Sequence, residues 1–140
     1  MNLVKASLSS FQYIYKRALA GEHGASLTPL NEMQEEGYTF YLTNNSAMGD
    51  TSGFAISSSG ELCYLFSRGK TKGRDLVKAA LLLGARRLSC FDGFLSTYYR
   101  EFGFRVVERV ANWTEGQPDV VTMHHKSRVQ LNRSQLNNLI

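Results

Sequence analysis

The stretch that most constrains this chain runs from residue 61 to residue 84. Residues 61–66 form an apolar, aromatic run that reads as a strand. Ser67-Arg68-Gly69-Lys70-Thr71-Lys72-Gly73-Arg74 is a basic turn with two glycines. Residues 75–84 read as a helix, with Leu76, Ala79, Ala80 and Leu83 on one face and Gly84 as its C-terminal cap. A strand, a glycine-punctuated basic turn and a helix N-terminus suit an anion. The first helical turn leaves backbone N–H groups unpaired, and the helix dipole places partial positive charge there. Gly69 and Gly73 let a ligand approach the backbone closely, and Arg68, Lys70, Lys72 and Arg74 add charge. A solvated basic turn that binds nothing has the same composition, and the loop alone does not separate the two readings. Residues 86–91 read as a further strand, with Leu88 and Cys90 alternating, so the segment forms a βαβ unit with parallel strands.

The flanking chain fits an α/β layer. Residues 3–6 read as a short strand. Ser7, Ser9 and Ser10 are N-cap candidates for a helix whose Phe11, Ile14, Tyr15, Ala18 and Leu19 share one face. Gly21 and Gly24 end it, and residues 25–37 suit either a short acidic helix or a loop. Residues 38–43 and 53–57 read as strands, separated by turn chemistry at 44–51. Ser58-Ser59-Gly60 is a hairpin connection into the strand at 61–66, which gives an antiparallel meander. After residue 91, Asp92-Gly93 opens a second helix, with Leu95, Tyr98, Tyr99 and Phe102 on one face and Gly103 at its end. Residues 104–110 and 119–123 read as strands around a loop that holds Trp113, and the polar tail 127–140 carries scattered apolar residues.

Size and charge narrow the classes. A chain of 140 residues fits one domain, with a core of its own. The net charge of +4 permits an anionic partner without demanding one. No apolar run is long enough to span a membrane, and the first residues lack a secretory pattern, so a cytoplasmic protein is expected. Cys63 and Cys90 lie apart in apolar runs and read as buried free thiols; no Cys/His pair has zinc-ligand spacing.

The order of elements and three local signatures resemble the GNAT acyltransferase family, whose members use acetyl-CoA. Arg68-Gly69-Lys70-Thr71-Lys72-Gly73 matches the first and last positions of the family's Gln/Arg-x-x-Gly-x-Gly/Ala loop, with Thr71 in place of the middle Gly. Asp92, Tyr98-Tyr99 and Gly103-Phe104 fall at the spacing of the family's Asn, aromatic-Tyr pair and Gly-Phe, with Asp92 for Asn. Residues 116–123 look like the last strand of small GNAT proteins of phages and bacteria. The likeness covers roughly residues 2–125 and is best over 61–107. It implies an α/β (α+β) fold: a mixed, mostly antiparallel central sheet of about six to seven strands flanked by helices, around a βαβ acyl-CoA unit. The domain would be residues 1–126, with 127–140 as a tail that could form a short helix.

What the resemblance implies chemically is an acetyl-CoA-dependent N-acyltransferase acting on an amine of a small molecule or protein. The N–H groups of Lys70 to Arg74 would cradle the pyrophosphate, with Arg68, Gly69, Lys70, Thr71, Lys72, Gly73 and Arg74 as the binding loop. Leu65 and Phe66 would belong to the strand side that meets the pantetheine arm. Tyr99 matches the family's tyrosine and becomes the general acid, since a phenol can protonate a leaving thiolate. Tyr98 reads as packing. Asp92 either hydrogen-bonds the cofactor or caps the second helix. Glu61 is the candidate base, acting through water; His23, His124 and His125 are titratable but unplaced. Two other functions compete. One is a non-catalytic GNAT-like phage, virion or host-interaction protein, motivated by Thr71, Asp92 and the apolar tail. The other is a nucleic-acid-directed protein, motivated by Arg86, Arg87, Arg100, Arg105 and Arg109, whose interspersion with acidic residues favours an ordinary solvated surface. A homo-oligomer is compatible with the tail.

Overall fold

The central strands are apolar on both faces, and that decides the layering. The computed structural model describes residues 2–21, 37–44 and 48–126. Its elements are β1 (Leu3–Ala6), α1 (Leu8–Leu19), β2 (Tyr38–Thr43), a 3-10 turn (Met48–Asp50), β3 (Gly53–Ser57), β4 (Leu62–Phe66), α2 (Gly73–Leu82), β5 (Arg87–Phe91), α3 (Phe94–Arg100), β6 (Phe104–Val110) and β7 (Val120–His125). The expectations for residues 25–36 and for the tail 127–140 fall outside the described residues.

Along β2 and β3, successive side chains enter two different cores. Phe40, Leu42 and Ala55 join Phe11, Ile14, Tyr15 and Ala18 of α1 on one side. Tyr41, Phe54 and Ile56 join Leu76, Val77, Ala79 and Ala80 of α2 on the other. A strand covered on both faces has no polar side to show, which is why these runs read as continuously apolar. The helix α1 begins where Ser7 Oγ accepts the Ser10 N–H at 3.1 Å, satisfying one of the orphan donors of its first turn.

The sheet is mixed and mostly antiparallel, with seven strands in two parts. One part has the order β1-β2-β3-β4 and the other β5-β7-β6, each with antiparallel neighbours. The expected βαβ unit is present as β4-α2-β5, but its strands meet in parallel at a single pair, Glu61 and Arg87. Just past that pair β4 is bulged. Gly53 faces Phe66 and Ala55 faces Cys63, so β4 has one more residue than β3 between the two rungs. Tyr64 takes a φ of 52° there, left-handed for a non-glycine residue. Its ring is held edge-on against Tyr15 at 5.7 Å and Tyr38 at 6.2 Å. A bulge twists its strand, and beyond it β4 and β5 are not laddered. Among the described residues, no helix is long and apolar enough to cross a membrane.

Candidate functional site

The loop between β4 and α2 is anchored at its start by Ser52, a fully buried residue ahead of β3. The Arg68 N–H donates to Ser52 Oγ at 2.7 Å, and the same hydroxyl lies 3.2 Å from the Arg68 carbonyl, to which it donates. Ser52 is itself tied to β2: its N–H donates to Thr43 Oγ1 at 2.9 Å, and its carbonyl accepts the Thr43 N–H at 2.8 Å. The last rung of the β3–β4 ladder is Gly53–Phe66. Ser52 carries pairing past that rung with a side chain.

The chain then turns at Gly69, with φ +62° and the Asp50 carboxylate where a Cβ would stand. Both facts require glycine. Arg68 Nη1 is buried without a hydrogen-bond partner, the only described side-chain atom in that condition. An unpaired buried donor costs about 1–3 kcal/mol, more when charged, so such groups normally have a partner.

At the far end of the loop, α2 starts without a side-chain cap. The Lys72 carbonyl accepts from Asp75 and Leu76 at 3.1 and 3.3 Å, which sets the first turn. From Lys70 to Arg74, no backbone N–H is donated to another described residue. Lys70, Lys72 and Arg74 are exposed and Thr71 is half-buried. This is a run of unclaimed donors at the positive end of a helix. A Cβ at Gly73 would stand 3.2 Å from the Tyr98 hydroxyl, so glycine here lets α3 bring a phenol against the first residue of α2.

The two tyrosines of α3 therefore differ. Tyr98 stacks on the exposed Phe94 at 6.2 Å and 16° and is only partly buried. Burial raises its pKa, with Arg74 opposing. Tyr99 is buried, edge-on to Phe104 at 5.9 Å. Burial, with smaller contributions from Cys90 and Tyr98, pushes its phenol far above the ordinary value, so it holds its proton throughout the neutral range.

The remaining candidates are dispersed. Glu61 lies at the bridged end of β4, about 16 Å of strand from the residue that leads into the loop. Phe66 is buried against Phe11 and Tyr15 on the α1 side, whereas Leu65 packs on the α2 side. Asp92 has protein partners for both oxygens: Oδ1 accepts from Ser96 Oγ at 2.8 Å, and Oδ2 pairs with Arg109. Arg109 also reaches Asp119 at 3.4 Å, so Asp92 ties β5 and α3 to β6 and β7. His125 Nε2–H donates to the Phe102 carbonyl at 2.7 Å, which fastens the exit of α3, and His124 is exposed. Cys63 and Cys90 are free and partly buried; burial first, and then nearby Glu61 and Asp92, push the thiols up to about 12 and about 11. At neutral pH neither is a nucleophile. Ser52 carried no signal in the sequence, since one serine beside a turn is ordinary. Tyr98 was visible as an aromatic but not as a group facing Gly73.

Solved structures share this fold. An acyl-CoA N-acyltransferase from Pseudomonas aeruginosa superposes with a TM-score of 0.54 at 15% identity, covering 89% of this chain and 99% of that one. A chimera of the spermidine N-acetyltransferase SpeG from Vibrio cholerae with hSSAT gives 0.54 at 14% identity, over 98% and 99% of the two chains. The fold is that of the GNAT N-acetyltransferases. Ard1 from Thermoplasma volcanium has the same GNAT architecture, with a TM-score of 0.51 at 18% identity over 87% of this chain and 94% of that one. No family model matches the sequence, and no curated protein matches it.

Proposed function

We propose that the chain is an acyl-CoA-dependent N-acyltransferase that moves an acetyl group to an amine. The observation that carries this reading is the run of unclaimed N–H groups from Lys70 to Arg74 at the start of α2. Those residues fit a pyrophosphate: backbone donors, a helix dipole, the exposed side chains of Lys70, Lys72 and Arg74, and the Tyr98 hydroxyl beside Gly73. Thr71 stands where the family pattern has Gly, and its hydroxyl adds a donor. When bound, an acyl-CoA supplies an activated thioester.

The chain's residues then hold and orient. The loop fixes the phosphate end. Beyond Glu61 and Arg87, the facing edges of β4 and β5 have main-chain groups with no ladder between them, and an extended pantetheine arm can take those hydrogen bonds. Tyr99 keeps a proton available for the departing thiolate. The acceptor is an amine of a small molecule or a protein. It must arrive neutral, and a general base is not fixed by the geometry, because Glu61 lies at the bridged end of the strands. The nucleic-acid reading loses support from its own arginines: Arg109 is held by Asp92 and Asp119, and Arg86 Nη1 donates to the Leu81 and Ala85 carbonyls.

Calorimetric titration with acetyl-CoA should give micromolar binding, and thiol release should appear with amine acceptors such as polyamines or peptide N-termini. No heat at high micromolar acetyl-CoA would sink the proposal.

A further inference from the structure

We propose that the uncovered face of β5, β7 and β6 docks a segment of a partner protein that carries apolar side chains at one end and carboxylates at the other. The surface follows from strand alternation. Leu88, Val121, Met123 and Phe104 turn into the core that α2 shares, so the residues between them turn the other way. The register sorts these into rows across the three strands. Arg87, His124 and Arg105 form one row, Ser89, Thr122 and Glu108 the next, and Phe91, Val120 and Val110 the third. Phe91, Val120 and Val110 belong to neither core cluster, and the Ser89–Thr122 hydroxyl contact at 3.3 Å is exposed.

The two end rows lack complements of opposite kinds. Arg87 and Arg105 flank His124, and no side-chain hydrogen bond or ion pair joins any of the three to another described residue. Arg109, on the other face of β6, is held by Asp92 and Asp119. At the opposite end Phe91 and Val110 are each 54% exposed. Among the described residues, five of the seven large apolar side chains that are exposed (Phe91, Phe94, Val107, Val110 and Trp113) lie between the end of β5 and the β6–β7 connection. Such a concentration marks a contact surface rather than scattered exposure. About 13 Å of strand separates the cationic row from the apolar one, which an extended segment spans in about four residues.

Charge selects the occupant. The complement of two unpaired guanidinium groups on one row is a set of carboxylates. The tail 127–140 carries Arg128 and Arg133 and no acidic residue, so it does not supply them. A polynucleotide bears a phosphate beside every base, whereas here the cations stand at one end and Glu108 occupies the middle row. Val107, Val110 and Val120 suit aliphatic side chains better than bases. A protein segment is what separates apolar from acidic groups in this way. None of these residues belongs to the loop before α2, so the docking stands apart from the acyl-CoA reading.

The test pans a random peptide library displayed on phage against the full chain, then measures the enriched peptide by calorimetry and by NMR. Enriched sequences should combine acidic and apolar residues. The peptide should shift the amides of Ser89, Glu108 and Thr122 and leave those of α1 unmoved. Arg105→Glu should weaken binding roughly tenfold, and added salt should weaken it further. Val110→Ser should also weaken it, by roughly tenfold. Should either variant fail to fold, Arg105→Gln and Val110→Thr replace them.

No enrichment, a basic consensus, or wild-type affinity in both variants would overturn the assignment. Two further measurements cover the other occupants. Binding of single-stranded oligo-uridine that Arg105→Glu abolishes would give the face to nucleic acid. A dimer seen by light scattering that Val110→Ser dissolves would give it to a second copy of the chain. Either result would overturn the proposal.

Discussion

Tyr98 and Tyr99 are adjacent, with ring centroids 5.4 Å apart at 68°, yet they face different surroundings. The Tyr98 hydroxyl meets Gly73 at the start of α2, whereas Tyr99 is enclosed by the core. The two phenols should therefore separate kinetically. Tyr98→Phe removes a donor to the phosphate end and should raise the Kd for CoA by roughly tenfold, with kcat nearly kept. Tyr99→Phe removes the proton source and should lower kcat by about a hundredfold or more, with the Kd nearly kept. Titration calorimetry and steady-state kinetics on both variants decide this, and the reverse pattern would exchange the roles. Asp92 gives a second residue-level expectation. Its pKa is held below the ordinary carboxylate value, first by the Arg109 hydrogen bond and then by that of Ser96. A depressed folded-state pKa stabilises the fold above the unfolded value, near ~3.9, and the contribution is lost as pH falls through the folded value. Asp92→Asn should lower the urea midpoint at neutral pH and converge on wild type at acid pH below the carboxylate range. A gap that persists in acid would show that the loss is not electrostatic.

The elements are held by cores that one helix face can report. Phe11 is fully buried, with rings of Tyr15, Phe40 and Phe66 at 5.7, 4.9 and 5.7 Å. Tyr13, two residues on, is 53% exposed. Phe11→Ala should cost about 3–5 kcal/mol and Tyr13→Ala less than about 1 kcal/mol, measured by urea unfolding; equal costs would mean that α1 does not pack as described. This contrast was legible in the sequence, because period 3.6 places Phe11, Ile14, Tyr15 and Ala18 together. The strands Tyr38–Thr43, Gly53–Ser57 and Phe104–Val110 were legible to the residue, since turn chemistry or a glycine bounds each apolar run. The start of α2 at Gly73 rather than Asp75 was not. It depends on the Lys72 carbonyl accepting from Asp75 and Leu76, which composition does not show. The bulge at Tyr64 was hidden for a similar reason. Cys63 and Tyr64 pack toward the same cluster, and an aromatic run gives no sign of the extra residue.

At the scale of the whole molecule, sequence patterns identify strands but not where pairing stops, so the parting of β4 from β5 could only be seen in three dimensions. That parting has a measurable signature. The Asp92 N–H donates to the Asp119 carbonyl and the His125 N–H to the Arg86 carbonyl, so even-numbered residues of β5 exchange hydrogen bonds with β7. The odd-numbered ones turn toward β4, where the Arg87 N–H reaches the Gly60 carbonyl at 3.2 Å. Beyond Arg87 there is no ladder to receive Ser89 and Phe91. Their amides should exchange quickly with solvent in the ligand-free protein, while those of Leu88 and Cys90 are protected by β7. If the cleft between β4 and β5 holds the extended arm of an acyl-CoA, its addition should slow exchange on these facing edges and leave Leu88 and Cys90 as they were. Residue-resolved amide exchange by NMR, with and without acetyl-CoA, reads both effects. Uniform protection along β5 in the free protein would mean that the two parts of the sheet are closed on each other in solution. Alternation that acetyl-CoA does not alter would leave the divided sheet intact and take the cleft out of the binding site.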